Sequence, residues 1–186
     1  MKTVVICGSR NPEGQTATAN KALIKGLQNA GAEVEQFFLP KMNVHHCQQC
    51  EDSGWGLCRK EGRCTVQDDF QLVIEKIREA DNVVFSTPVY YADLSESLKA
   101  FSDRLRRVCT QDKGKAGIAG KPMMGICVAG GRGGGSYNCA TLLEKVMTTC
   151  GFDVVDMIPV RRQNLQAKLL RLEMAGQWFA TSPRSN

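Results

Sequence analysis

The sequence has no apolar run approaching the roughly 20 residues needed to cross a bilayer. It opens on MKTVVIC, without the basic segment and apolar core of a secretory leader. No membrane association is expected, and the expected compartment is the cytoplasm. Long basic runs are also missing. The formal charge of +5, from 24 Lys and Arg against 19 Asp and Glu, is spread over helices and loops. Its tightest clusters are Arg104, Arg106 and Arg107, and Arg161 with Arg162. These read as a solvated helix face and a strand end rather than a nucleic-acid surface, so an anionic small molecule is the more economical partner. After the first strand the chain lacks the G-x-G-x-x-G of a dinucleotide fold and has GSRNPEG instead. Cys7, Gly8, Ser86 and Thr87 stand where a phospho-receiver needs acidic residues. There is no internal repeat and no low-complexity linker.

What is present is an unbroken alternation of strand and helix patterns. Thr3–Cys7 is an apolar run without polar alternation, the pattern of a strand buried on both faces of a parallel sheet. Further strands are expected at 33–39, 82–86, 121–128 and 152–160. Helices are expected after each. One starts near Ala17, one at an Asp68/Gln71 capping pattern, one at an Asp93/Glu96 capping pattern, one after Gly135, and a last one over about 164–180 carries Leu165, Leu169, Leu172 and Trp178 onto the sheet. The tail from Thr181 is expected to fray. Right-handed βα crossovers leave few other ways to pack such units. The expected fold is therefore α/β, a flavodoxin-like three-layer, doubly wound sandwich with a five-stranded parallel sheet in order 2-1-3-4-5. A chain of 186 residues suits one core, so 1–186 reads as a single domain with a cysteine-rich insertion at about 40–67.

In that strand order ligands bind at the carboxyl ends of strands one and three, where the direction of winding switches. Three unusual loops converge there. The first, Gly8 to Ala17, offers helix-start amides, the hydroxyls of Ser9 and Thr16, Gln15, the guanidinium of Arg10 and the turn glycine Gly14, a seat for one phosphate. The second, Thr87, Pro88, Val89, Tyr90 and Tyr91, has a stiffened backbone able to present amides to the edge of a flat ring, with tyrosines to cover a face. The third contains Gly130, Gly131, Arg132 and Gly133, where backbone can approach a planar ligand closely and a guanidinium can meet an anion.

Nine cysteines is a high count for a reducing compartment, where thiols or metal ligands are more usual than disulfides. Cys7, Cys109, Cys127, Cys139 and Cys150 fall on expected elements and read as small buried hydrophobes. Cys47, Cys50, Cys58 and Cys64 lie within CQQCEDSGWGLCRKEGRC, enough thiolates for an iron-sulfur cluster or a zinc ion, or a set of free redox thiols. His45 and His46 adjoin them and are read as surface residues.

GSRNPEGQT, TPVYYADLSESLKAFSDRL and AGGRGGG together resemble the NAD(P)H-dependent FMN reductase family, including its iron-sulfur flavoprotein branch, from strand one to about Asp153. Many members of that family carry the first-loop arginine one residue later than Arg10. In the iron-sulfur branch a third cysteine usually follows the C-x-x-C closely, where Ser53 stands here. The resemblance implies FMN as cofactor and NAD(P)H as co-substrate, with a small acceptor such as a quinone or flavin. It also implies a site at the interface of a homodimer or homotetramer. No catalytic side chain is expected, because the cofactor carries the chemistry. The alternatives are an iron-sulfur flavoprotein exchanging single electrons with a ferredoxin-like partner, and a non-catalytic module with a zinc-stapled loop.

Overall fold

The sheet of the computed structural model, which describes residues 1–181, contains all five expected strands, and every pairing is parallel. They are β1 (Lys2–Cys7), β2 (Glu33–Phe38), β3 (Asn82–Pro88), β4 (Pro122–Ala129) and β5 (Asp153–Arg161). Their lateral order is β2-β1-β3-β4-β5, as the crossover rules led us to expect. The helices are α1 (Gln15–Asn29), α2 (Leu57–Glu61), α3 (Phe70–Glu79), α4 (Glu96–Val108), α5 (Asp112–Lys115), α6 (Ser136–Cys150) and α7 (Leu165–Thr181). The short α2 and α5 were not anticipated. The tail after Thr181, expected to fray, lies outside the described residues.

The strand period of two divides the apolar residues between two cores. Val4 and Ile6 of β1 and Val83 and Phe85 of β3 face α3, α4 and α6. Val5 and Val84 face α1 and α7 with Leu23, Leu27, Leu172 and Phe179. On the first side Phe101 of α4 meets Phe70 at 5.2 Å and Phe85 at 6.4 Å between ring centroids. Truncating such a buried phenyl costs about 3–5 kcal/mol. On the second side α7 packs against α1 as well as the sheet. A Cβ on Gly26 would lie 1.9 Å from the Glu173 carbonyl oxygen, and one on Gly176 would lie 2.2 Å from that of Leu23. The two helices therefore touch backbone to backbone, and either position requires glycine. Trp178, expected against the sheet, is half exposed.

Two helix starts differ from the capping patterns read in the sequence. Ser95 caps α4, its Oγ accepting from Leu98 N at 3.4 Å, while Asp93 accepts from the Leu94 N–H before the helix begins. Asp69 stands at the N-cap position of α3 without a side-chain bond to the helix, while Asp68 accepts from the Phe70 N–H at 3.2 Å and pairs with Arg104. No described helix is long and apolar enough to cross a membrane.

Candidate active site

Cys7 at the end of β1 pairs in register with Ser86 of β3, and the Gly8 N–H donates to the Ser86 carbonyl at 2.8 Å. This fixes the take-off of the first loop beside that of the third strand. The loop turns on Asn11, whose Oδ1 accepts from Glu13 N and whose carbonyl accepts from Gly14 N. Gly14 then caps α1 without a side chain, so the amides of Gln15, Thr16 and Ala17 meet no acceptor among the described residues. The Ser9 and Thr16 side chains are buried, and neither hydroxyl has a protein partner among the described residues. Free amides at the positive end of a helix with two unpartnered hydroxyls make a seat for an anion.

Ser9, Gln15 and Thr16 form one wall of an open cleft of about 420 Å³. Pro88, Val89 and Tyr90 form the second wall, and Val128, Ala129, Gly130, Gly131 and Gly134 the third. The second wall is held by the Val89 N–H on the Val128 carbonyl at 3.0 Å and by a tight turn in which Tyr90 and Asp93 exchange two backbone bonds. The central residues of that turn, Tyr91 and Ala92, have φ of +50° and +65°, the type I′ pattern usually taken by Asn and Gly. Two non-glycine residues in the left-handed region cost backbone strain, which the paired Tyr90–Asp93 bonds hold in place. The third wall is open where it counts, since a Cβ at Gly130, Gly131 or Gly134 would meet nothing within 4 Å.

The expected site residues thus fall into two groups. Ser9, Gln15, Thr16, Pro88, Val89, Tyr90, Gly130 and Gly131 border the cleft. Gly14 is the helix cap, and Ala17 is buried beneath the seat. Thr87 is buried, its hydroxyl donating to the Pro88 carbonyl at 2.8 Å and accepting from Ser95 N at 3.0 Å. Tyr91 projects fully into solvent, Arg10 and Arg132 are exposed, and Gly133 is tucked under the turn that follows β5. Val128, Ala129 and Gly134 also border the cleft. The first two look like ordinary strand residues in the sequence. Gly134 belongs to the recognised glycine run.

A second pocket lies at the far end of α4. All four clustered cysteines, Cys47, Cys50, Cys58 and Cys64, line it together with Arg104 and Arg107. Arg104 was expected on a solvated face and is instead 1% exposed. Its fork grips Asp68 at 2.6 and 2.9 Å, donates to the His45 carbonyl at 2.9 Å and to Cys64 Sγ at 3.4 Å, and lies over the Phe70 ring at 4.0 Å. Burial alone would push the Asp68 carboxyl up. The hydrogen bonds from Arg104 and from the backbone of His45, with the guanidinium charge, outweigh it and hold the carboxyl below the usual range. One turn along, Arg107 donates twice to the Gly54 carbonyl at 3.0 Å and covers Trp55 at 4.2 Å. Arg104 and Arg107 therefore fasten the cysteine loop to α4. The other end of the same helix holds the cleft, with Ser97 Oγ donating to the Gly8 carbonyl at 3.1 Å. The ten residues from Ser95 to Arg104 span about 13 Å.

The donor set of this second pocket suits a soft metal centre, but its geometry does not close one. Among the described residues no group of three or more His, Cys, Asp or Glu side chains is placed to hold a metal ion. The free space of about 20 Å³ is that of a water or two. His45 and His46 are exposed and stay apart from the sulfurs in chemistry, His45 serving through its backbone. The remaining five cysteines are buried as expected. A hydrogen bond with Cys139 and then burial push the Cys127 thiol far above its ordinary range, and Cys109 does the same to Cys150. The Cys127 and Cys150 thiols therefore stay protonated.

Known proteins resemble this chain in sequence and in fold. An iron-sulfur flavoprotein of Methanocaldococcus jannaschii is 31% identical over 169 residues, which cover 91% of this chain and 79% of that protein. Another from the same organism is 31% identical over 137 residues and one from Archaeoglobus fulgidus 32% identical over 105, but the matches span only 65% and 46% of those proteins' lengths. Among solved structures, an NAD(P)H:quinone oxidoreductase from Methanothermobacter marburgensis superposes with a TM-score of 0.74 at 18% identity, covering 100% of this chain and 99% of that one, which establishes a common fold. The family model for NADPH-dependent FMN reductase matches residues 1–166, a span that includes all three walls of the cleft and the cysteine loop. The chain belongs to the NADPH-dependent FMN reductase family.

Proposed function

We propose that the protein is an oxidoreductase that takes hydride from NAD(P)H onto FMN seated in the three-walled cleft and delivers the electrons to a small acceptor such as a quinone or a free flavin. The observation that carries this reading is the pair of hydroxyl side chains, Ser9 and Thr16, that line the cleft beside the free amides of α1, at one end of a cleft whose other end is open backbone. A phosphate dianion fits the first end, and a flat heterocycle fits the space between Pro88–Tyr90 and the glycines.

FMN, when bound, supplies the ring position that accepts hydride. The chain's own residues orient and shield. Among the described residues Tyr90 is the only ionisable side chain bordering the cleft, and none of them places a carboxylate or imidazole there to take a proton. This agrees with a reaction in which the protein positions the ring and leaves one face open to the nicotinamide. The resemblance that supports FMN also supports a homodimer or homotetramer with the open face of the cleft near a subunit boundary. Stopped-flow mixing of FMN-loaded protein with NADPH and with NADH, without oxygen, tests the reading. Loss of the oxidised-flavin absorbance with either nucleotide is expected, and no reduction by either would contradict it.

A second reading, single-electron exchange through an iron-sulfur cluster with a ferredoxin-like partner, draws support from the four thiols on one pocket and from the name that several relatives carry. The spacing of those thiols gives no closed centre, so no step is derived through a cluster, and a zinc staple meets the same obstacle.

A further inference from the structure

The glycine loop is gripped from outside the cleft by a side chain some thirty residues away in sequence. After β5 the chain turns through Arg162–Asn164, with Asn164 Oδ1 accepting from Arg161 N at 2.9 Å. From this turn Gln163 Nε2 donates to the Gly131 carbonyl at 3.1 Å. Gly133, at φ +76°, is buried between the exposed Arg132 and Gly134, and a Cβ there would lie 2.5 Å from Gln163 Oε1 and 3.0 Å from Arg161 Cβ. Both ends of the Gln163 amide therefore seat on the loop. At its far end Gly135 rests on the tyrosine turn, where a Cβ would lie 2.7 Å from Ala92 Cα. Gly130, Gly131 and Gly134, by contrast, have open space and border the cleft. The pinned positions face protein, and the open ones face the cleft.

We propose that Gln163 is a positioning residue for the flavin ring, acting through the peptide between Gly131 and Arg132. The described residues contain no cis peptide, and a planar trans peptide points its carbonyl and its N–H to opposite sides. A Gly131 carbonyl drawn toward Gln163 turns the Arg132 N–H away from it, toward the side on which Gly131 borders the cleft. That N–H has no acceptor among the described residues. A preorganised donor at the edge of the ring stabilises electron density there, and so favours the reduced flavin over the oxidised one. Gln163 does not border the cleft, so its effect passes entirely through the loop. This inference rests on the placement of FMN in the cleft.

The test compares Gln163→Ala and Gln163→Glu with the native protein. Glutamate keeps the length of the side chain but, when ionised, has no N–H to give the Gly131 carbonyl. FMN affinity is read by fluorescence titration and the midpoint potential of the bound flavin by equilibration with redox dyes. Both variants should bind FMN about three- to tenfold more weakly, as expected for one lost hydrogen bond. Both should also shift the flavin potential to more negative values, while thermal unfolding of the flavin-free protein stays as in the native chain. An unchanged potential in both variants overturns the proposal, whatever the affinity does. Thr16→Asp in the same titration separates the two levels. If it too leaves FMN binding unaltered, the placement of FMN in the cleft is wrong and the role of Gln163 falls with it.

Discussion

Arg104 and Asp68 form a bidentate ion pair at 2.6 and 2.9 Å with side chains 1% and 0% exposed, and this pair fixes where the cysteine loop begins and ends. The same carboxylate accepts from His45 N at 2.8 Å and from Phe70 N at 3.2 Å, so one aspartate ties the loop's entry to the start of α3. Removing one member of such a pair leaves an uncompensated buried charge, at a cost of about 3–5 kcal/mol. Arg104→Met is expected to lower stability to urea by that order. It should also raise the rate at which Cys64 reacts with a thiol reagent, because the loop that half-buries the sulfur loses its anchor on α4. Unchanged labelling would show that the loop holds itself.

The same pair predicts a pH dependence. Asp68 has its folded pKa below the ordinary value, so its contribution is complete above the ordinary carboxylate range and is lost as pH falls through the lowered folded value. Acid should therefore release the cysteine loop. Trp55, held between Arg107 at 4.2 Å and Arg59 at 5.5 Å, is a reporter of that release. Its fluorescence is expected to change below about pH 4, and in Asp68→Asn to lose that acid transition.

Thr16→Asp places a carboxylate where the phosphate would sit, adding repulsion and removing a hydroxyl. FMN affinity should fall at least tenfold, about 1.4 kcal/mol. Fluorescence titration checks this, with circular dichroism confirming that α1 is retained.

Tyr90 borders the cleft at 49% exposure while Tyr91 stands at 107% on the tip of the turn. Tyr90→Ala should therefore alter the spectrum or affinity of bound flavin more than Tyr91→Ala or Tyr137→Ala. Tyr91→Gly relieves a left-handed residue and should stabilise the flavin-free protein, by up to about 1 kcal/mol.

Stoichiometric metal is not expected on the cysteine pocket as described. Anaerobically purified protein should carry neither iron with acid-labile sulfide nor zinc near one equivalent. Iron and sulfide that disappear in Cys58→Ser would reverse this and make one-electron transfer the leading function.

The sheet and its winding were legible because β1, β3 and β4 are buried on both faces and so lack polar alternation, a signal that survives in sequence. The two loops after β1 and β3 were legible through their own residue types. Less visible was anything decided by a partner distant in sequence. Arg104 reads as one of three arginines on a polar stripe, and only the arrival of residues 45–68 over α4 buries it. Asp68 satisfies a capping pattern and does accept from the first amide of α3, but nothing in the sequence shows that it also holds the buried Arg104. The left-handed Tyr91 and Ala92 carry no sequence sign, since the turn imposes a conformation their side chains disfavour. Gln163 is an ordinary polar residue until the turn after β5 brings it onto Gly131.

The central claim is that the end of the cleft at Ser9 and Thr16 is a phosphate seat belonging to a flavin site. Parallel titrations of the flavin-free protein with FMN and with riboflavin, which has the ring but no phosphate, test it most directly. One FMN per chain, with riboflavin binding at least tenfold more weakly, is the predicted result. Equal affinity for the two, or no binding of either, would contradict it.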